Sequence, residues 1–207
     1  MKASILFFVT ACFLTIGSLS RAADAATLGG EVVALKGQAT VSQNGQTTRL
    51  YKGASVIVGD TLKTGKGARL KLRMIDGAEI SLGENTEFIV NEYQLQDSVG
   101  RAALELTKGF FRAITGKITK LRDGSFQVRT PVALVGVRGT DFWGEQQANR
   151  LRMLMLDGTA IVISNGYGTV EINQPGWGTE IKGEDQAPVP AFQWSADDIK
   201  RAAGTVN

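Results

Sequence analysis

Glu79, Glu84, Glu87, Glu92 and Asp97 crowd five carboxylates into one stretch of chain. If folding brought two of them about 5 Å apart, or about 6.5–9.5 Å apart, they would have the spacing of a glycosidase acid pair. They fall in strand and turn territory, where alternating acids read as solvated faces, so a hydrolase is the outlying reading. Arg138-Gly139-Thr140-Asp141 offers a second chemistry. An arginine fork there could clamp a carboxylate or phosphate, or lock onto Asp141 or a carbonyl across a bend at Gly139. The lock is the preferred reading, because a glycine suits a bend where a side chain would clash. Trp143, Trp177, Trp194 and Tyr167 could supply an aromatic platform for a sugar ring or a protein hot spot. Trp177 is the best placed of these, since Pro175-Gly176-Trp177-Gly178 reads as a glycine-flexed loop. Trp143 is expected to bury beside Phe142, and Trp194 to pin a C-terminal helix. The loop from Gly116 to Gly124 carries Lys117, Lys120 and Arg122 and could meet anionic envelope polymers, although a solvated loop is its plainer reading.

Other chemistries are excluded by composition. The 207 residues contain no histidine and one cysteine, Cys12. Ser-His-Asp and Cys-His catalysis are therefore ruled out, as are the usual zinc and copper ligand sets. Asp76-Gly77 and Asp157-Gly158 lack the preceding acids of a calcium loop and read as turns. No metal and no cofactor is expected. The net charge of +3 is small and its cations are scattered, so nucleic acid is not an expected partner.

Residues 1–25 read as an export signal. Lys2 is followed by an apolar stretch from Ile5 to Ile16, too short to span a bilayer, and then by Ala23-Asp24-Ala25. Cleavage is expected before Ala26, with Ser20-Arg21-Ala22 as the second possibility. Val9-Thr10-Ala11-Cys12 has the shape of a lipid-attachment box, but Cys12 sits inside the apolar stretch rather than closing it. The expected product is a periplasmic chain without cysteine and without a membrane span.

The elements that must position these residues are short strands punctuated by glycine. Asn44-Gly45 between Ala39–Val41 and Gln46–Tyr51 signals a tight hairpin. Leu70, Leu72 and Met74 alternate with Lys71 and Arg73, and Asp76-Gly77 turns the chain toward Ile80 and Leu82. Residues 69–82 recur at 150–163, with Arg, Leu, Met, Asp, Gly and Ile at matching places, so each copy reads as strand, Asp-Gly turn, strand. Helix propensity competes over 101–114. Strands are preferred there because Leu104 and Leu106 alternate with Glu105 and Thr107, a turn at Lys108-Gly109 follows, and Phe110–Ile114 is bulky. Pro188 and Pro190 mark a linker, and Ser195 caps a short helix over 196–203 that ends at Gly204.

The order of motifs is specific. Lys36-Gly37 and Ala39-x-Val41 come first, then Gly53 and Gly59-Asp60-x-Leu62-x-Thr64. Asp76-Gly77, Asn85-Thr86, Leu106-x-x-Gly109 and Phe126-x-Val128-x-Thr130-Pro131 follow. Val137-Arg138-Gly139-Thr140-Asp141-Phe142 is last. From 36 to 163 this order resembles the FecR-like domain family. The resemblance implies an all-β domain that binds or senses something in the cell envelope. The anti-sigma segment and transmembrane helix that precede the domain in the family's named regulators are not found here, so their sigma-factor regulation is not carried over. The expected organisation is a signal peptide (1–25), an all-β domain (26–187), and a Pro-containing linker with a short helix (188–207). The domain is read as a short-stranded β-roll, solenoid-like, or a sandwich with two related halves. The expected function is non-catalytic binding or sensing through an envelope protein partner. The alternative is an envelope carbohydrate or peptidoglycan binder using Trp177 with Lys117, Lys120 and Arg122.

Overall fold

The computed structural model describes residues 27–207; the export signal expected over 1–25 lies outside the described residues. The described chain is all-β with one short helix at its C-terminal end. Strand β9 (Val99–Ile114) is the hub. Its first half pairs antiparallel with β8 (Glu87–Gln96) and parallel with β10 (Asp123–Arg129). Its second half pairs with β7 (Glu79–Leu82) and with β11 (Leu134–Gln147).

Three arms leave this hub. One runs from β8 through β5 (Thr61–Thr64) and β2 (Ala39–Gln43) to β3 (Gln46–Arg49). A second runs from β7 through β6 (Arg69–Met74) and β1 (Leu28–Lys36) to β4 (Ser55–Ile57). The third runs from β11 to β12 (Arg150–Asn165), which carries both β13 (Gly168–Ile172) and β14 (Trp177–Ile181). A short β15 (Phe192–Gln193) closes on β14. The first two arms end in β3 and β4, which are consecutive in the chain, and each has a strand partner on one side only.

Alternation decides which side chains enter the core, and the long strands change its phase partway. In β9 the even positions Ala102, Leu104 and Leu106 are buried, and beyond Lys108 the odd positions Phe111 and Ala113 are. β8 switches from Phe88 and Val90 to Tyr93, with a register shift between Val90 and Glu92. β11 switches from Val135 to Thr140 and Phe142 across Gly139. One extra residue in a strand has this effect: it bends the strand and swaps its faces. The faces so aligned enclose one core, where Phe88, Phe111, Phe142 and Phe126 form a chain of ring contacts at 5.4–6.3 Å.

Several expectations are corrected here. Lys108-Gly109 is not a turn: β9 runs through it, with Gly109 at φ +99°. A Cβ at Gly109 would lie 2.5 Å from Thr86 Cα, so the strand can bend there only without a side chain. The two related segments also part company. Residues 69–82 form the expected hairpin, but Asp157-Gly158 lies inside the continuous strand β12. The reason is the partner. β11 pairs with β12 along its whole length, so the turn forms at Ala148-Asn149 and Gly158 becomes part of a bend opposite Thr140, next to Gly139. Trp143 is buried, but not with Phe142. Successive strand residues face opposite ways, so Phe142 enters the main core. Trp143 instead joins Leu154, Trp194, Ala202 and Val206 under helix α1 (Ala196–Gly204).

Ser195 caps α1 as expected, its hydroxyl accepting from the Asp198 amide at 3.1 Å. Trp194 pins the helix within that second cluster, and Trp143 Nε1 donates to Thr205 Oγ1 at 2.9 Å. The segment leading to α1 is held against the sheet: Val189 N donates to the Glu180 carbonyl and Thr179 Oγ1 to the Val189 carbonyl. No helix among the described residues is long and apolar enough to cross a membrane.

Candidate functional site

Between the free edges of β3 and β4 the structure leaves a cleft of about 440 Å³. Chain geometry creates it. The connection Leu50–Ala54 is anchored by Leu50 N to the Ala39 carbonyl, Gly53 N to the Val32 carbonyl and Val32 N to the Ala54 carbonyl, all 2.8–2.9 Å. That anchoring holds the two strand ends near each other without letting them pair. Val41, Leu50 and Ile57 give the cleft apolar walls, Thr48 and Arg49 line its β3 side, and Asp60 contributes to its lining.

Asp60 is 3% exposed. Gly59, at φ +92°, turns the chain after β4 so that Asp60 faces back. Asp60 N donates to the Ile57 carbonyl at 3.2 Å, and Val90 N donates to the Asp60 carbonyl at 3.1 Å. One carboxylate oxygen, Oδ2, accepts from the Ile57 amide at 2.9 Å. The other, Oδ1, is buried without a hydrogen-bond partner. Burial raises the pKa of this carboxyl above its ordinary value, and the Ile57 amide only partly opposes that shift.

The first Asp-Gly position is a structural knot. Asp76 is 1% exposed. Its Oδ1 accepts from Ala78 N at 2.9 Å and from the Tyr93 hydroxyl at 2.7 Å, while Oδ2 accepts from Ile118 N at 3.2 Å. Its carbonyl accepts from Lys117 N at 3.0 Å. One side chain thus ties the β6–β7 turn to β8 and to the loop that follows β9. Burial, with the neighbouring Asp76 carboxylate, pushes the Tyr93 phenol far above its ordinary range. Gly77, at φ +84°, supplies the turn.

Arg138 is exposed and does not lock to Asp141, which corrects the preferred reading. Asp141 is instead gripped by Arg112 of β9, Nε to Oδ1 at 2.8 Å and Nη2 to Oδ2 at 2.7 Å. The phase change at Gly139 carries Asp141 toward β9, where Arg112 lies two residues from its paired residue Ile114 and on the same face. That Asp141 pair also raises the Arg112 guanidinium pKa. Thr140 completes the bend: its hydroxyl donates to the carbonyls of Arg138 and Ala160, and its amide donates to Thr115 Oγ1.

Lys117, Lys120 and Arg122 project from the loop as exposed cations. The loop is not wholly polar, because a 3-10 turn (Ile118–Lys120) drives Ile118 into the core. Trp177 is not on a loop. It opens β14, opposite Gln193, and is half-buried against the main core. The carboxylate run is dispersed. Glu79 pairs with Lys71 and Arg73, Glu87 with Lys63 and Lys108, and Glu84 accepts from Gly67 N. Among the described residues no three His, Cys, Asp or Glu side chains gather into a metal-sized cluster. Sequence reasoning named Gly59 and Asp60 but missed the cleft beside them. The four residues of β3 alternate no apolar side chains, and that was the one available hint of an unsupported edge.

Comparison with known proteins agrees with this architecture. Residues 60–160 match the family described as FecR protein. Two crystal structures from Parabacteroides distasonis, both described provisionally as an anti-sigma factor, share the fold with TM-scores of 0.55 and 0.53 at 15% identity. In each case 68% of this chain is covered, and this chain spans only 62% of the other's length. No curated protein matches the sequence. The motif order, the all-β body and the family match thus agree in likening residues 60–160 of this chain to the FecR protein family.

Proposed function

We propose that this chain is a non-catalytic sensing or regulatory module that works by binding a protein partner in the cell envelope, and that it reaches the periplasm through the signal read over residues 1–25. The FecR match over 60–160 carries the reading. The use of the polar groups supports it. Asp76, Asp141, Thr86 and Thr140, four of the polar residues of the family motifs, are engaged with other parts of the fold. What remains for function is surface: exposed strand edges and the cleft between β3 and β4. The carbohydrate alternative loses ground, because its best platform, Trp177, packs half-buried into a strand.

Two measurements test the proposal. Osmotic-shock fractionation with N-terminal sequencing of the recovered chain should give a periplasmic protein beginning at Ala26. Recovery of the intact chain from the cytoplasm would refute the location. Photo-crosslinkers placed at exposed sites on several edges should capture one specific envelope protein in living cells. Capture from none of the sites would refute the module reading.

A further inference from the structure

The strand order β3-β2-β5-β8-β9-β7-β6-β1-β4 curls so that its two terminal strands, adjacent in the chain, face each other across an unpaired seam. A sheet edge displays unsatisfied backbone N–H and C=O groups and is a template for another strand. β3 borders the cleft as such an edge, whereas the outward amide and carbonyl of Ile57 in β4 are already engaged by Asp60. The cleft's volume of about 440 Å³ lies within the range of ligand sites. Neither edge is blunted by proline or by an inward lysine: β3 is Gln46-Thr47-Thr48-Arg49 and β4 is Ser55-Val56-Ile57. Asp60, 97% removed from solvent, lines the same cleft with one carboxylate oxygen unpartnered. A buried carboxylate oxygen without a donor is unfavourable and is ordinarily paired. The nearby cation, Arg49, is exposed on the cleft's β3 side and has not closed onto it.

Resting on the reading of this chain as a protein-binding module, we infer that the seam receives one extended segment of a partner protein as an added strand, with a lysine or arginine side chain of that segment pairing with the Asp60 carboxylate. Main-chain pairing along β3 supplies register and affinity, and the carboxylate selects a basic residue at one position. Strand addition is the mode for which this seam is shaped, and the buried anion defines the partner's charge. Burial already holds the Asp60 carboxyl above its ordinary pKa, so an arriving cation relieves an existing penalty.

The test uses the full exported chain and a synthetic seven-residue peptide of alternating threonine and valine with a central lysine. Its counterpart carries norleucine at the centre. The lysine peptide is expected to bind and to slow amide exchange on β3. The norleucine peptide should bind about tenfold more weakly, and Asp60→Asn should weaken the lysine peptide by a similar factor. Circular dichroism establishes that the variant is folded. The inference is overturned if the lysine peptide does not bind, if Asp60→Asn binds it equally well, or if protection appears on β13 or β15 instead. It is also overturned if Arg49→Ala and Asp60→Asn prove strongly coupled in stability, because Arg49 would then be the partner of Asp60 in solution. A crosslinker at Thr48 separates this inference from the broader reading. Capture from Tyr167 but not from Thr48 would sink the seam and leave the module standing, whereas capture from neither would sink both.

Discussion

Tyr93 and Asp76 show how a single hydrogen bond can set the pH response of the fold. In the unfolded chain the phenol ionises near pH 10. In the folded chain burial and the Asp76 carboxylate keep it protonated well above that. Above about pH 10 the folded state therefore binds more protons than the unfolded state, and stability falls by about 1.4 kcal/mol for each further pH unit. Below pH 10 the contribution is fully present. Tyr93→Phe should cost about 1.5–3 kcal/mol at neutral pH through the lost charge-assisted bond. It should also flatten the alkaline loss, as read by denaturant unfolding at pH 8 and pH 11. Tyr167, exposed and bonded to Asp185, titrates alike in both proteins, so the difference isolates Tyr93. A second residue-scale prediction separates the two arginines. Arg112→Ala leaves Asp141 without its bidentate partner and should cost about 1–3 kcal/mol, beyond the range of an exposed pair. Arg138→Ala should stay within about 0.5 kcal/mol, since its side chain is exposed. Equal losses in thermal melts of the two variants would contradict the assignment of Arg112 as the partner of Asp141.

Strands β8, β9, β11 and β12 owe their shape to inserted residues and to glycines at positive φ. Each phase change lets one strand serve two neighbourhoods: β9 pairs with β8 and β10 in its first half and with β7 and β11 in its second. The two Asp-Gly positions, alike in sequence, should respond differently to mutation. Gly77, at φ +84°, has open space around its missing Cβ, so Gly77→Ala should cost only the backbone strain, about 1–2 kcal/mol. Gly158, at φ +114°, has the Gly139 carbonyl against it, and a Cβ would lie 2.6 Å from Thr140 Cα. Gly158→Ala should therefore cost more than Gly77→Ala and should loosen the β11–β12 pairing. Chemical denaturation of the two variants checks the order, and amide exchange across Thr140 and Gly158 checks the site.

At the scale of the molecule there are two cores on opposite faces of one bent sheet. The larger holds residues 60–160, the stretch that matches the FecR family, together. The smaller, around Trp143 and Trp194, exists because α1 lies over it. Arg152 adds a cation over the Trp194 ring at 4.3 Å and pairs with Glu145 and Glu180. Ending the chain after Trp194 would remove Ala202, Val206 and the Thr205 acceptor for Trp143. The truncated protein should lose roughly 3 kcal/mol of stability, the burial of one or two apolar side chains. Its tryptophan emission should shift to the red as Trp143 meets water. Unchanged emission would mean that α1 does not cover the cluster in solution.

The all-β class, the hairpin at Asn44-Gly45, the β6–β7 turn, the Ser195 cap and the family motifs were all readable along the chain, because each depends on neighbours a few residues apart. Alternation every second residue names the buried face of a strand, and Asn-Gly names a turn, without knowledge of the rest of the molecule. The partner of Asp141, the fate of Asp157-Gly158, the faces of Phe142 and Trp143, and the seam beside Asp60 were decided only in three dimensions. An inserted residue leaves a shift of parity in the sequence, as between Leu106 and Phe111, but the shift does not say which strand will lie alongside. Pairing across a sheet depends on long-range register, and an unfilled edge depends on where both ends of the sheet stop.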